Sequence, residues 1–136
     1  MPERIVWDRT SALLVDDHPD ILLTTGIFLE AAGFDVVRVP NGDAALPHLE
    51  SGEKFALLVT DYAMPGINGT DLAARALEQL PALKVLIITG YPCDAGLFNR
   101  PSGVALLTKP FRRATLITCL KSLFPPGQTI MSASPG

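Results

Sequence analysis

Four of the five apolar runs in the sequence end in residues that could do chemistry. The first run ends at Asp16-Asp17, the third at Asp61, the fourth at Thr89 and the fifth at Lys109. If these runs are strands of one sheet, three carboxylates, a hydroxyl and an ammonium group meet at one edge. Three like charges that lie close together are costly unless a cation lies between them. Carboxylate oxygens favour a hard ion, so we predict a Mg²⁺ site.

The elements that must position these residues follow a regular alternation. Continuous apolar strands that alternate with helices are typical of a parallel sheet covered on both faces, and right-handed crossovers make it doubly wound. Ligands of such sheets bind beyond the carboxyl ends of the strands. The predicted strands are Ser11–Asp16, Phe34–Val39, Phe55–Thr60, Lys84–Thr89 and Val104–Thr108, and the predicted helices are Asp20–Ala32, Asn41–Glu50, Thr70–Leu80 and Arg112–Phe124.

The connection between the fourth and fifth strands departs from this alternation. It contains Pro92, Gly96, Pro101 and Gly103, and proline and glycine are the poorest helix formers. We expect at most a short helix there, around Asp94–Asn99.

One of the two histidines invites a metal-ligand interpretation. His18 follows the acidic pair directly, but Pro19 suits the first turn of a helix, so we expect His18 to begin that helix with its ring in solvent. His48 is near none of the motif residues, and we interpret it as a surface residue.

Length and composition fit one globular domain and exclude several classes. The chain has 136 residues, of which 48% are hydrophobic and 18% charged, and its net charge is −3. Direct nucleic-acid binding normally needs a basic stripe, whereas the densest basic cluster is Lys109, Arg112 and Arg113. No apolar run approaches the ~20 residues that span a bilayer. Cys93 and Cys119 lack metal-ligand and redox spacing, which predicts reduced thiols in a cytoplasmic protein.

Taken together, the motifs closely resemble those of the receiver domain of two-component response regulators. They are Asp16-Asp17, Asp61 within DYAMPGINGTDL, Thr89-Gly90 and Lys109-Pro110-Phe111. The resemblance implies a flavodoxin-like fold with strand order 2-1-3-4-5 and a phosphoacceptor signalling function. It covers a domain at residues 11–124, with terminal extensions at 1–10 and 125–136.

The resemblance also implies a role for each site residue. Asp61 would accept a phosphoryl group from a histidine kinase or a histidine phosphotransfer domain. Asp17, Asp61 and the backbone carbonyl of Ala63 would bind Mg²⁺, and Asp16 would act mainly through water. Lys109 would pair with a phosphoryl oxygen, and Thr89 would hydrogen-bond another. The Lys109-Pro110 peptide is expected in cis. Such a domain catalyses only its own phosphorylation and dephosphorylation.

Two other functions are open on the residues alone. A haloacid-dehalogenase-type phosphatase also uses an aspartate at a strand end with Mg²⁺, but it needs a second aspartate two residues later, where this chain has Ala63. A receiver-like scaffold that does not accept phosphate is the other alternative. The segments DYAMPGINGTDLA, ITGY and KPFRRATL look most like receivers of hybrid sensor histidine kinases; a stand-alone receiver and part of a transcription factor stay open.

One position departs from the family pattern. Receivers commonly carry Tyr or Phe three residues before the lysine, where this chain has Leu106. We therefore expect phosphorylation to reorder the loop from Gly90 to Ser102 without an aromatic rotamer change. Many receivers dimerise through the face that the fourth helix forms with the fifth strand and fifth helix. Because a full fourth helix is not expected here, we predict a monomer or a weak dimer.

Overall fold

Five parallel strands form one sheet. The strands are β1 (Thr10–Val15), β2 (Phe34–Val39), β3 (Phe55–Asp61), β4 (Lys84–Thr89) and β5 (Ala105–Thr108). The computed structural model describes residues 10–91, 96–97 and 100–124. The strand order is β2-β1-β3-β4-β5, and all neighbouring strands are parallel. This order confirms the predicted flavodoxin-like fold.

Three helices of the described residues connect successive strands, α1 (Pro19–Ala31), α2 (Gly42–Leu49) and α3 (Gly69–Gln79), and α4 (Arg113–Leu123) follows β5. Pro19 opens α1 in the first turn, where its missing N–H leaves no bond unmade. Two helices begin with asparagine caps. The Asn41 side chain accepts the N–H of Ala44 at 2.8 Å, and the Asn68 side chain accepts the N–H of Asp71 at 2.8 Å. Such caps satisfy backbone donors that the first helical turn leaves unpaired.

Apolar side chains bury both faces of the sheet. On one face, Leu29 of α1 and Leu116 and Leu120 of α4 are fully buried in a single cluster. On the other face, α2 and α3 contribute a second cluster that includes Leu72. Because consecutive side chains of a strand point to opposite faces, the continuous apolar runs of β1, β3 and β4 serve both clusters at once. The molecule is therefore a doubly wound sheet between two helical layers.

Most strand and helix ends lie one residue away from their predicted positions. One of these differences affects the site. Asp61 is the last residue of β3, where it pairs in register with Ile88 of β4. The prediction ended that strand at Thr60. Asp16, which was predicted to end the first strand, lies just beyond β1. The pairing of β3 with β4 therefore fixes the position of the Asp61 backbone.

The connection between β4 and β5 is anchored by one apolar residue. Gly96 and Leu97 form a 3₁₀ turn, and the Leu97 side chain is fully buried in the cluster under α2 and α3. Arg100 clamps this turn because its guanidinium donates to the carbonyls of Leu97 at 2.9 Å and Val104 at 3.1 Å. The predicted short helix around residues 94–99 lies largely outside the described residues, as do the predicted extensions.

Candidate functional site

The predicted site residues meet at the carboxyl edge of the sheet. Asp16 follows β1, Asp61 and Thr89 end β3 and β4, and Lys109 follows β5. Backbone bonds hold two of these positions in place: the Asp16 N–H donates to the carbonyl of Val39 at 3.3 Å, and the Lys109 N–H donates to the carbonyl of Thr89 at 2.8 Å. Parallel strands therefore bring these distant residues to one edge, as expected for ligand sites of such sheets.

Three carboxylates converge at this edge. Asp16 and Asp61 are buried, with 2% and 4% of their surface exposed, whereas the Asp17 side chain is 28% exposed. One ligand atom from each of these residues and one from His18 lie within 4.8 Å of one another. The sequence prediction of an acidic cluster is thus reproduced in space.

A single ammonium group faces this negative charge. Lys109 Nζ lies 3.1 Å from Asp61 Oδ1. Burial raises the pKa of the Asp61 carboxyl above its ordinary value of 3.8; the hydrogen bond and charge of Lys109 lower it, and the charges of Asp16 and Asp17 raise it further. The net direction is upward, so Lys109 alone does not offset desolvation and the neighbouring acids. A further cation close to these carboxylates would favour their charged forms.

The donor set fits a hard divalent ion. Asp17 Oδ1 is buried, and no hydrogen bond satisfies it within the described part of the chain; a buried oxygen in that state is costly. Carboxylate oxygens are the ligands that Mg²⁺ prefers, with several waters retained. Ala63, whose carbonyl was the further predicted ligand, lies exposed in the loop that follows Asp61. The three aspartates therefore offer carboxylate oxygens that could bind such an ion.

His18 lies closer to the acids than the sequence indicated. It precedes α1 as expected, and its side chain is 60% exposed. Its ring, however, contacts the cluster: Nδ1 lies 3.1 Å from Asp16 Oδ1 and 3.2 Å from Asp17 Oδ1. The His18 N–H also donates to Asp16 Oδ1 at 2.9 Å. Asp two residues before an N–H is the spacing of an Asx turn, and that signal was present in the sequence.

Thr89 presents a buried hydroxyl to the same edge. The residue is 3% exposed, and its Oγ1 accepts the N–H of Tyr91 at 3.0 Å. A hydroxyl that accepts one hydrogen bond still carries its own proton, which it can donate to an incoming oxygen. Beside it, a side chain built on Gly90 would meet nothing within 4 Å, so the site has open space on this side.

Comparison with known proteins identifies the family. The family model for the response regulator receiver domain matches residues 12–121. The chain belongs to the response regulator receiver family. It is 42% identical over 117 residues to the chemotaxis protein CheY of Pseudomonas aeruginosa, a match that covers 82% of this chain and 94% of that protein.

Solved structures agree with this assignment. A response regulator receiver protein from Sinorhizobium medicae matches with a TM-score of 0.79 and 31% identity, over 87% of this chain and 96% of that one. The receiver domain from the hybrid histidine kinase CckA matches with a TM-score of 0.72 and 30% identity, over 83% of this chain and 97% of that one. These relatives support a phosphoacceptor signalling function and do not favour the phosphatase or scaffold alternatives.

Gly69, which the sequence pattern did not single out, lies in close contact with the end of β3 that carries Asp61. A Cβ on Gly69 would lie 2.6 Å from the carbonyl oxygen of Asp61 and 2.9 Å from Cα of Tyr62. The Gly69 N–H donates to the Tyr62 carbonyl at 2.8 Å. Only glycine allows α3 to begin this close to the end of β3. Its place within DYAMPGINGTDL was the available signal.

Two features beside the lysine bear on the resemblance. The Lys109-Pro110 peptide is cis, as expected for a receiver. Leu106 is half-buried and packs against the cluster under α2 and α3, so an aliphatic side chain fills the position at which receivers commonly carry an aromatic ring. No helix of the described residues is long and apolar enough to cross a membrane.

Proposed function

We propose that Asp61 accepts a phosphoryl group from a phosphohistidine of a histidine kinase or a histidine phosphotransfer domain, in a Mg²⁺-dependent reaction. One observation carries this proposal: the Asp61 carboxylate is buried between one ammonium group at 3.1 Å and two further carboxylates. A carboxylate in such a place can act as a nucleophile, and the charges around it are suited to a transferring phosphoryl group.

The step itself is a nucleophilic displacement at phosphorus. A carboxylate oxygen of Asp61 forms a bond to the phosphorus atom while the bond to the donor imidazole nitrogen breaks. The bonding electron pair goes to that nitrogen, and the product on this chain is an acyl phosphate. Lys109 neutralises negative charge on the phosphoryl oxygens, which is the main catalytic work in phosphoryl transfer. The Thr89 hydroxyl donates a hydrogen bond to another phosphoryl oxygen.

The metal would be held by the acidic side of the site, which comprises Asp16, Asp17 and Asp61. Asp17, Asp61 and the Ala63 carbonyl would bind it directly, and Asp16 would act through water. When bound, Mg²⁺ neutralises charge on the phosphoryl oxygens. Burial raises the pKa of Asp61, and the charges of Asp16 and Asp17 raise it further, so a cation beside these carboxylates would favour their charged forms.

The output of this reaction would be a change in partner affinity and not turnover of a separate substrate. The domain at residues 11–124 would catalyse only its own phosphorylation and dephosphorylation, in the cytoplasm, where histidine kinases obtain their phosphoryl groups. We propose that it acts as a monomer or a weak dimer within a phosphorelay and makes no direct contact with nucleic acid. Phosphorylation would reorder residues 90–102, a segment that lies partly outside the described residues.

Incubation with acetyl phosphate and Mg²⁺, followed by intact mass measurement, tests this function. The unaltered protein should gain one phosphoryl group, and Asp61→Asn should gain none. Asp35→Asn is a matched control, because Asp35 lies exposed on β2 and its replacement should leave the gain intact. Phosphorylation of Asp61→Asn at the rate of the unaltered protein would show that the acceptor is wrong.

The same experiment separates the two alternatives. A phosphatase would hydrolyse its aspartyl phosphate rapidly, so little phosphorylated protein would be seen by mass while the acetyl phosphate is consumed, whereas a receiver accumulates a single acyl phosphate. A scaffold would show no mass gain with or without the metal.

A further inference from the structure

His18 is the group at this edge that the proposed function does not use. Its Nδ1 lies 3.1 Å from Asp16 Oδ1 and 3.2 Å from Asp17 Oδ1, so the ring faces two carboxylates at once. One ligand atom from His18 and one from each of the three aspartates lie within 4.8 Å of one another. Atoms of that spacing can surround a single ion, and the imidazole therefore belongs to the donor set.

The backbone fixes where this ring can reach. The His18 N–H donates to Asp16 Oδ1 at 2.9 Å, and α1 begins at the next residue, so the start of the side chain is held beside the cluster. The ring is 60% exposed, and small rotations toward the acids displace no core residue. Asp17 Oδ1 lies on the same side, buried and outside hydrogen-bond geometry with any described group.

An imidazole changes which ions such a site prefers. Mg²⁺ is bound through oxygen and gains little from a nitrogen ligand, whereas Cu²⁺, Ni²⁺ and Zn²⁺ accept imidazole readily. We infer that His18 is a metal ligand that gives this site a second preference, for imidazole-binding transition ions beside Mg²⁺. This inference rests on the metal site of the proposed function, and it adds a specificity-determining residue to that site.

A positioning role makes a different prediction. If the Nδ1–H only donated to Asp16 and oriented that carboxylate, removal of the ring would weaken the binding of all divalent ions alike, as loss of a partner behind a ligand does. Direct ligation instead predicts a selective loss. The ratio of Ni²⁺ affinity to Mg²⁺ affinity therefore distinguishes the two roles.

Calorimetric titration of the tag-free protein with NiCl₂ and, separately, with MgCl₂ measures this ratio. We expect His18→Phe, which keeps an aromatic ring without nitrogen, to lower the ratio by about tenfold or more. His18→Ala serves as a second variant if the larger ring disturbs the turn. His48 is the other histidine of the chain and lies near the end of α2, away from the site, so His48→Phe should leave the ratio unchanged.

Pulsed electron paramagnetic resonance of bound Cu²⁺ supplies an independent signature. The unaltered protein and His48→Phe should show the hyperfine coupling of an imidazole nitrogen, and both His18 variants should lack it. An unchanged Ni²⁺-to-Mg²⁺ ratio, an equal loss for both ions, or nitrogen coupling that persists without His18 would each overturn the inference.

Failure of this inference and failure of the proposed function give different results. The titrations report ion preference in the unphosphorylated protein, whereas the mass gain of the unaltered protein with acetyl phosphate and Mg²⁺ reports phosphorylation. A protein that gains phosphate on Asp61 but shows no nitrogen coupling retains the proposed function and rejects the role of His18. A protein that shows the coupling but gains no phosphate does the reverse.

Discussion

The two sides of the candidate site are built differently. The acidic side, with Asp16, Asp17 and Asp61, lies where two central strands end; α1 begins three residues after Asp16, and α3 begins eight residues after Asp61. The opposite side, with Thr89, leads into an irregular connection that reaches β5. The acidic side is thus fixed by short covalent paths between regular elements, whereas the Thr89 side depends on a few anchoring contacts. We therefore expect ion binding to depend on the acidic side, and the response to phosphorylation to depend on the Thr89 side.

The largest expected effect tests whether the Thr89 side contributes to stability at all. Leu97 is fully buried although it lies in the irregular connection, so Leu97→Ala should lower the free energy of unfolding by about 3 kcal/mol. Chemical denaturation measures the loss. We expect phosphorylation of the folded variant to persist, because the acidic side is untouched.

Leu72→Ala is the matched variant on α3, since Leu72 is equally buried in the same cluster. If Leu97→Ala cost far less than Leu72→Ala, the connection would be a surface loop and the anchoring role of Leu97 would be wrong.

The second prediction concerns the close approach on the acidic side. A Cβ at Gly69 would lie 2.6 Å from the Asp61 carbonyl oxygen, a backbone atom that cannot rotate away. Gly69→Ala should therefore destabilise the domain by about 2 kcal/mol. It should also slow phosphorylation, because the displaced atoms belong to the acceptor residue.

Gly90→Ala is its control on the Thr89 side, where a Cβ meets nothing within 4 Å. Denaturation and the rate of mass gain with acetyl phosphate should show no comparable change for this variant. Equal effects of the two alanines would remove the contrast between the sides.

Much of this arrangement followed from the sequence because strand ends are strongly marked. Apolar runs that stop at Asp61 and Thr89 fix both the strands and their carboxyl edge, so the convergence of charged side chains was predictable. Contacts that depend on the geometry of the folded chain were not predictable from the residue types. The ring of His18 reaches the acids through a turn whose geometry the residue types do not specify, and the burial of Leu97 depends on a gap between elements that only the folded packing creates.

The third prediction uses the raised pKa of the Asp61 carboxyl. Burial raises the pKa of Asp61 in the folded protein above 3.8, so the folded state binds this proton more tightly than the unfolded state does. The associated stability is present at low pH and is lost as pH rises through the raised pKa. Asp61→Asn removes this loss, and at neutral pH without metal it should raise the free energy of unfolding by about 1 kcal/mol.

Thermal unfolding of both proteins across pH in the presence of a chelator measures this difference. Subtraction of the two curves removes groups that titrate alike in each. Addition of MgCl₂ should shrink the advantage of Asp61→Asn, because the ion compensates the carboxylates only when all three are charged. A difference that grew toward low pH would contradict the stated direction of the pKa.

The smallest expected effect lies on the Thr89 side. Thr89→Val keeps the shape of the side chain but removes the oxygen that accepts the Tyr91 N–H at 3.0 Å. Tyr91 is 79% exposed, so water can replace this bond and the cost should be about 0.5 kcal/mol.

The diagnostic readout is the amide resonance of Tyr91 with and without a beryllofluoride mimic of the phosphoryl group. In the unaltered protein we expect the Thr89 hydroxyl to turn toward the mimic and change the hydrogen bond of that amide, which would shift the resonance. In Thr89→Val no hydroxyl is present to turn, and the shift should be lost while the mimic still binds at Asp61. A shift of equal size in both proteins would mean that the signal leaves the acidic side by a path that does not include Thr89.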